Sequence, residues 1–555
     1  MRQPLWGRAA ALSVNGKELA FLFLLTAALL LPFLDKPLHL DDPMYVWTAQ
    51  RIVEHPADFY GMDVNWCYTR QSMARVNENP PLVSYWLAAF GALMGWGESV
   101  LHAAMLVPAF LAVAGVWLLA LTLEAPPLLA GLGLLAMPGF LVSSTTLMAD
   151  VFATALWTWA VLAWVRGLQE ERAGWLTAGA LLSGLCILTK FVGLALLPLL
   201  FAYSLLKSRR LDRRILLLGL PLGLALAYRA RMLMRYGVDP FAAIGSYALE
   251  KREAAKASAF ELPWLGLAYL GGACLPALLL AGWIFQRRGL AVCAAFMLAV
   301  GVGLFFAQTF GGHPLRTEQG TRFSLVLHLA AFMTCGAIVL ALVLRHLLRE
   351  RSAEAILLAL WVTGIFLFAS FFNWSTNIRS LLPATPAVAI VLASELQRKE
   401  SVRGRWIPMA LLALSTLAGL VVAQGDLAYA RSARDAALAV MHEHGKGRRL
   451  WFEGSWGFQY YMDLEGASKI NWDHLEVSAG DQMVLPSSNC CLIALPPEVA
   501  RPAKDHTFSV YALASTVTAG AGFYSHILGV VPYVFGIPPD EVYSVSDLSL
   551  SVEYR

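Results

Sequence analysis

The chain has 555 residues, 58% of them hydrophobic and only 14% charged, with a formal net charge of +4. A soluble domain carries about 25% charged residues, and the mean hydropathy of +0.59 is well above the soluble range. These figures exclude a soluble enzyme, give no footprint for nucleic acid, and predict a polytopic α-helical membrane protein.

Apolar runs of about 20 residues, long enough to span a bilayer, recur along most of the chain. Thirteen spans are expected, at about 19–35, 100–122, 127–143, 150–166, 174–189, 191–206, 215–232, 264–285, 290–310, 323–344, 355–373, 380–395 and 406–424. The first, in "LAFLFLLTAALLLPFL", has no small-residue cleavage site and reads as a retained signal anchor. After it, 36–99 is too long for a mere connector. Within that segment "MYVWTAQRIVEH" predicts a helix along the membrane. The run "LVSYWLAAFGALMGW" that follows Pro80-Pro81 predicts an interfacial or re-entrant helix.

The compact, mostly basic connectors 169–172, 207–214, 286–288, 345–351 and 397–405 all fall on the side of the N-terminus. By the positive-inside rule that side is cytoplasmic. The opposite side then holds 36–99, 233–263, 311–322, 373–379 and the tail. Residues 1–424 are expected to form the membrane domain. Residues 425–555 turn polar, with short β-like runs around "SWGFQYYMDLEGA", and predict a soluble α/β domain outside the membrane. The aromatics of that tail are assigned to its core. The seven cysteines follow no metal or redox spacing, vicinal Cys490 and Cys491 included. No internal repeat is visible.

Three places carry chemistry. Asp41 and Asp42, in "HLDDPMYVW", stand at the mouth of the first span among apolar neighbours. Such neighbours raise a carboxylate's basicity, as a general base requires; a helix cap is the plainer role. Asp150, in "LMADVFATALW", begins the fourth span, where an ionisable group is a functional candidate or a first-turn acid. Arg75, Glu78 and Asn79 precede the Pro-Pro turn. His39 and His313 are either metal ligands or ordinary loop residues.

In order, "DDPMY", "ENPPLVSYW", "LMADVFATALW", "LTKFVGLALLPLL" and "NIRSLLPATPA" resemble the GT-C membrane glycosyltransferases that use polyprenyl-phosphate sugars. These are the bacterial relatives of protein O-mannosyltransferases and of the aminoarabinose lipid A transferase. The resemblance covers roughly residues 19 to 395. It implies the GT-C fold and inverting transfer outside the cytoplasm, from a polyprenyl-phosphate-linked sugar to a glycolipid, polysaccharide or protein acceptor. It places the enzyme in the inner (plasma) membrane. Asp41 would deprotonate the acceptor, Asp42 would complete the acid pair, and Asp150 would position the acceptor or a divalent metal ion. Glu78 matches an acid that in some relatives helps bind metal. Two departures stand out: Asp42 replaces a Glu, and Asn79 replaces the Lys of the Pro-Pro motif. The donor phosphate must then find other cations. Arg379 leads, as a fork suited to phosphate, ahead of Arg316, Arg322, Lys190 and Arg75; Arg229 and Arg231 read better as snorkelling side chains. A lipid-linked-sugar flippase or an inactive scaffold of the same fold are the rival readings. Acids gathered at one face and the absence of a repeat speak against the flippase.

Overall fold

A computed structural model describes residues 16–210, 212–243, 245–246, 250, 257–398, 406–445, 447–549 and 552–554. Among these, ten helices are long and apolar enough to cross a membrane, so this is a multi-pass membrane protein. Each of the thirteen expected spans falls on helix, and three fail the length test for physical reasons. The run at 127–143 breaks into Pro127–Leu135 and Pro138–Ser143, because proline offers no N–H and its ring clashes with the preceding turn. The run at 264–285 becomes Leu262–Ala273 and Pro276–Ile284, bent by 83° ahead of Pro276. Ala173–Ile187 has only 15 residues, about 22 Å at 1.5 Å per residue. Most of the connector 397–405 lies outside the described residues.

Hydrogen bonds that join Asp41, Arg379, Asp150 and Lys190 place the C-terminal end of Gly16–Phe33 on one face with the starts of Ala149–Gln169, Phe191–Ser208 and Ile378–Gln397. On that face Asp42–Glu54 and Leu82–Met94 form the two helices expected of the first long segment. Between them lies a hairpin, Asp63–Cys67 with Thr69–Ser72.

The last helix, Trp406–His444, runs through the expected boundary at 424. Beyond Gly425 the sequence "DLAYARSARDAALAVMHEH" is rich in strong helix formers and holds no proline, so nothing stops the helix. Its 39 residues reach about 58 Å, roughly twice a bilayer core. Gly425 has a packing reason: a Cβ there would meet the Ala514 carbonyl at 2.1 Å.

Past this helix a five-stranded sheet has the order Ala500–Phe508, Glu541–Leu548, Gln482–Pro486, Leu450–Phe452, Ser468–Lys469. Helix Trp456–Leu464 makes the crossover between the last two, which pair in parallel. Trp456, Phe458, Tyr461, Phe523, Tyr524 and Tyr533 are buried in the main core, so the aromatic tail segments serve packing.

The tail does not stand apart from the membrane part. Tyr269 donates its hydroxyl to the carbonyls of Gly522 and Gly529 at 3.0 and 2.6 Å, and Tyr533 donates to the Gly272 carbonyl at 3.0 Å. Tyr461 donates to Glu98 at 3.0 Å and accepts from the Leu38 amide at 2.8 Å. A disulfide joins Cys67 of the hairpin to Cys491 of the tail, 424 residues apart.

Candidate functional site

The loop from residue 34 to residue 41 turns the chain at the end of the first helix, and Asp41 becomes the N-cap of Asp42–Glu54. Its carboxylate makes no capping bond. It accepts instead from Arg379 Nη1 at 2.8 Å. Arg379 sits one residue into Ile378–Leu381, the turn of helix that opens a deeply buried span. Its Nε donates to Asp150 Oδ2 at 2.8 Å. Asp150, in the first turn of its own span, also accepts from Lys190 Nζ at 2.5 Å through Oδ1. Four residues spread over 338 positions of chain thus form one chain of charge: Asp41, Arg379, Asp150, Lys190.

The members differ in access. Asp150 is 2% exposed and Arg379 12%, whereas Lys190 is 19% and Asp41 29% exposed. Asp150 is a buried anchor that fixes both cations. Asp41 is the more accessible of the two acids. A carboxylate buried between two cations is satisfied only while both stay, so Asp150 holds Arg379 and Lys190 in place.

Asp42 is turned away from this chain. Fully buried, it accepts from the His39 amide at 3.0 Å and the Leu147 amide at 2.9 Å. It pins the first outer loop to the loop before Ala149–Gln169. Burial pushes its carboxyl up to about 7, against a partial pull downward from Lys36.

Of the other cations, Arg75 is exposed on the one-turn helix Met73–Val76. Arg316 lies over the Phe305 ring, and Arg322 donates to the carbonyls of Pro314 and Ala519. Arg229 forks onto Asp239, and Arg231 donates to the Ala57 carbonyl. No hydrogen bond joins these five to Asp41 or Asp150 among the described residues. Glu78 is half-buried in the turn ahead of Pro80. His313 bonds the His526 carbonyl at 2.7 Å.

A second cluster is absent from the sequence reading. Lys36 and Asp426, both fully buried, form an ion pair at 2.6 Å. Asp426 also accepts from Thr516 at 2.5 Å and Tyr524 at 2.7 Å, and lies 3.2 Å from His39 Nε2. His39 is held below its usual pKa by burial, and its Nε2 faces Asp426 within this cluster. The only advance signal was a lysine and an aspartate in otherwise apolar surroundings.

Residues 78–229 match the sequence profile of the family described as dolichyl-phosphate-mannose-protein mannosyltransferase. The match takes in Glu78, Asp150 and Lys190; Asp41, Asp42 and Arg379 lie outside it and reach the site through the fold. Among solved structures, ArnT from Cupriavidus metallidurans bound to undecaprenyl phosphate is similar over 84% of this chain and 93% of its own, at 16% identity and a TM-score of 0.39. The Archaeoglobus fulgidus oligosaccharyltransferase tethered with an acceptor peptide is similar over 82% of this chain and 63% of its own, at 15% identity and a TM-score of 0.48. The arabinofuranosyltransferase AftD from Mycobacteria is similar over 96% of this chain and 40% of its own, at 11% identity and a TM-score of 0.39. This chain thus spans less than two thirds of the length of the last two. No curated protein matches the sequence.

A divalent metal ion fits this site poorly. Three of the four carboxylate oxygens of Asp41 and Asp150 already accept from Arg379 or Lys190. An incoming dication would have to displace the guanidinium or the ammonium, and it would meet their repulsion. A cleft of about 820 Å³ opens between the first outer segment and the tail, lined by Trp47, Arg51, Asn65, Arg70, Trp451 and Lys469 among others; none of the four members of the charge chain lines it.

Proposed function

We propose that this protein transfers a sugar from a polyprenyl-phosphate donor to an acceptor hydroxyl or amine, with inversion, at the outer face of the inner membrane. The observation that carries this reading is the Asp41–Arg379–Asp150–Lys190 chain at the mouth of the spans. It supplies one accessible base and two anchored cations within the reach of a lipid phosphate. The family description, which names a dolichyl-phosphate-mannose donor, supports the donor class.

In the proposed reaction the donor phosphate enters beside Arg379 and Lys190. Arg379 turns its fork from Asp41 to the phosphate oxygens, for which a planar guanidinium is suited. This frees the Asp41 carboxylate. The acceptor oxygen or nitrogen attacks the anomeric carbon while its proton passes to Asp41, and the bond from that carbon to the phosphate oxygen breaks. The departing polyprenyl phosphate gains one negative charge, which Arg379 and Lys190 neutralise. Asp150 keeps both cations aimed throughout, so no reorganisation accompanies the charge that develops. No step runs through a metal.

The test is transfer by purified protein supplied with a polyprenyl-phosphate sugar in detergent. The expected products are a glycosylated acceptor and free polyprenyl phosphate in equal amounts. Movement of intact donor across proteoliposome membranes without cleavage would identify a flippase instead. Sidedness is tested by reporter fusions at residue 212 and at the C-terminus, which should report opposite sides; the same side for both overturns the proposed orientation.

A further inference from the structure

Where the last helix ends, three side chains converge away from the Asp41 site. Glu443 and His444 close Trp406–His444, and His506 lies on Ala500–Phe508, the edge strand of the five-stranded sheet. The Nε2 atoms of His444 and His506 are 3.0 Å apart. Glu443 places one oxygen 3.8 Å from His444 Nε2 and the other 4.0 Å from His506 Nε2. A tetrahedral Zn²⁺ with bonds of about 2.0–2.1 Å has its ligand atoms about 3.3 Å apart. The two nitrogens already stand near that spacing, and the Glu443 carboxylate, on a half-exposed side chain, lies within 4.0 Å of both.

The far side of the His444 ring is committed as well. Its Nδ1 lies 3.1 Å from Gln482 Oε1, and Gln482 Nε2 donates to Asp547 at 2.8 Å. An amide anchored through its NH₂ offers the ring only its oxygen. His444 therefore carries its proton on Nδ1 and a lone pair on Nε2, facing His506 and Glu443. A hydrogen bond behind the ring that fixes the ligating nitrogen is the outer-shell feature of metal-bound histidines.

We propose that Glu443, His444 and His506 form a Zn²⁺ site that ties the end of the last membrane helix to the edge strand of the outer sheet. Two imidazoles and a carboxylate suit Zn²⁺, with water as fourth ligand, and do not suit Mg²⁺ or Ca²⁺, which take oxygen ligands. Without metal, Lys504 donates to both Glu443 oxygens at 2.7 and 2.8 Å. Both partners are about half exposed, so Lys504 can swing into water as the ion binds. His506 Nε2 gives up the proton that it shares with His444, and the ring is reprotonated at Nδ1 from solvent. The site is independent of the transferase reading.

The experiment uses full-length protein without a histidine tag, in detergent, stripped with chelator and titrated with Zn²⁺ alone. About one Zn²⁺ per chain should bind, and a hundredfold excess of Mg²⁺ should not displace it. His444→Ala and His506→Ala should abolish that stoichiometric binding. Gln482→Ala should weaken it about 10- to 100-fold, the usual loss when an outer-shell partner is removed. Lys504→Gln should tighten it, since the competing cation is gone; Lys504 is half exposed on an edge strand, so this variant leaves the core untouched. Saturable binding that survives in the His444→Ala/His506→Ala double variant, no saturable binding in the parent, or unchanged affinity in Lys504→Gln would each overturn the site.

Discussion

Lys36 and Asp41 are five residues apart, yet each belongs to a different ion cluster, and the two clusters are built on opposite plans. Around Asp426 every bond is closed. Lys36, His39, Thr516 and Tyr524 surround the carboxylate, Lys36 reaches Thr145 as well, and both charges are sealed from solvent. Around Arg379 the bonds stop short of closure. Asp41 is engaged through one oxygen and remains the most exposed of its four members. A buried charge with all its partners in place has no work left beyond holding the structure. A half-buried charge at the mouth of a span, paired to a cation that can turn to a phosphate, is set up for exchange. The first cluster stitches the first outer loop, the loop before Ala149–Gln169, the last helix and the tail; the second is where we propose that the substrate binds.

Breaking the closed cluster should give the largest change in stability. Lys36→Met leaves Asp426 buried without its cation, and removal of one partner of a buried pair costs about 3–5 kcal/mol. Thermal unfolding should fall accordingly, while the turnover of molecules that remain folded stays near the parent value. A loss of turnover at full stability would erase the distinction between the clusters.

Cys67→Ser should come next, at about 2–4 kcal/mol, because the crosslink closes a very long loop in the unfolded chain. Reduction of the parent should reproduce the loss, and the variant should be indifferent to reductant. Arg379→Ala should weaken the donor by about 10- to 100-fold, the worth of a charged hydrogen bond of about 1.5–3 kcal/mol. Arg379→Lys should restore part of this, for lack of the fork. Donor affinity unchanged in Arg379→Ala would move the phosphate to Lys190 alone.

The smallest effect concerns pH. Burial pushes Glu453 in the tail up to about 7, from an ordinary 4.5. One of its oxygens accepts from Trp472 at 2.6 Å, and the other has no partner. Between these values the folded protein holds a proton that the unfolded chain has released. Stability from this group is therefore full below about 4.5 and falls as pH rises to about 7. Glu453→Gln should flatten the decline of Tm between pH 5 and pH 7.5; an equal slope in the variant would assign it to other acids.

The open cluster was largely legible in the sequence, because each member sits in a local pattern: an acid at a span mouth, an acid in a helix's first turn, a cation before or within the turn that opens a span. What the sequence could not show is that Arg379 bridges both acids, since that depends on three helices ending at one depth. Arg316 and Arg322 ranked next after Arg379, and the fold commits Arg322 to backbone carbonyls and lays Arg316 over a ring. The closed cluster was not legible. Lys36 and Asp426 are 390 residues apart, and Asp426 fell just past the expected end of the last span. The helix runs on past residue 424 because hydropathy declines there while helix propensity does not. The Cys67–Cys491 crosslink has no local spacing to announce it.

The central claim is that Asp41, and not its neighbour Asp42, takes the acceptor proton. It is tested most directly by single-turnover transfer with Asp41→Asn and Asp42→Asn, each purified and saturated with donor. Loss of a general base costs about 10²- to 10⁴-fold in rate. Asp41→Asn should lose that much while still binding donor. Asp42→Asn, which alters a buried tether between the His39 and Leu147 amides, should keep most of the rate and lose stability. An Asp41→Asn enzyme that turns over near the parent rate while Asp42→Asn is inert would contradict the account and make Asp42 the base.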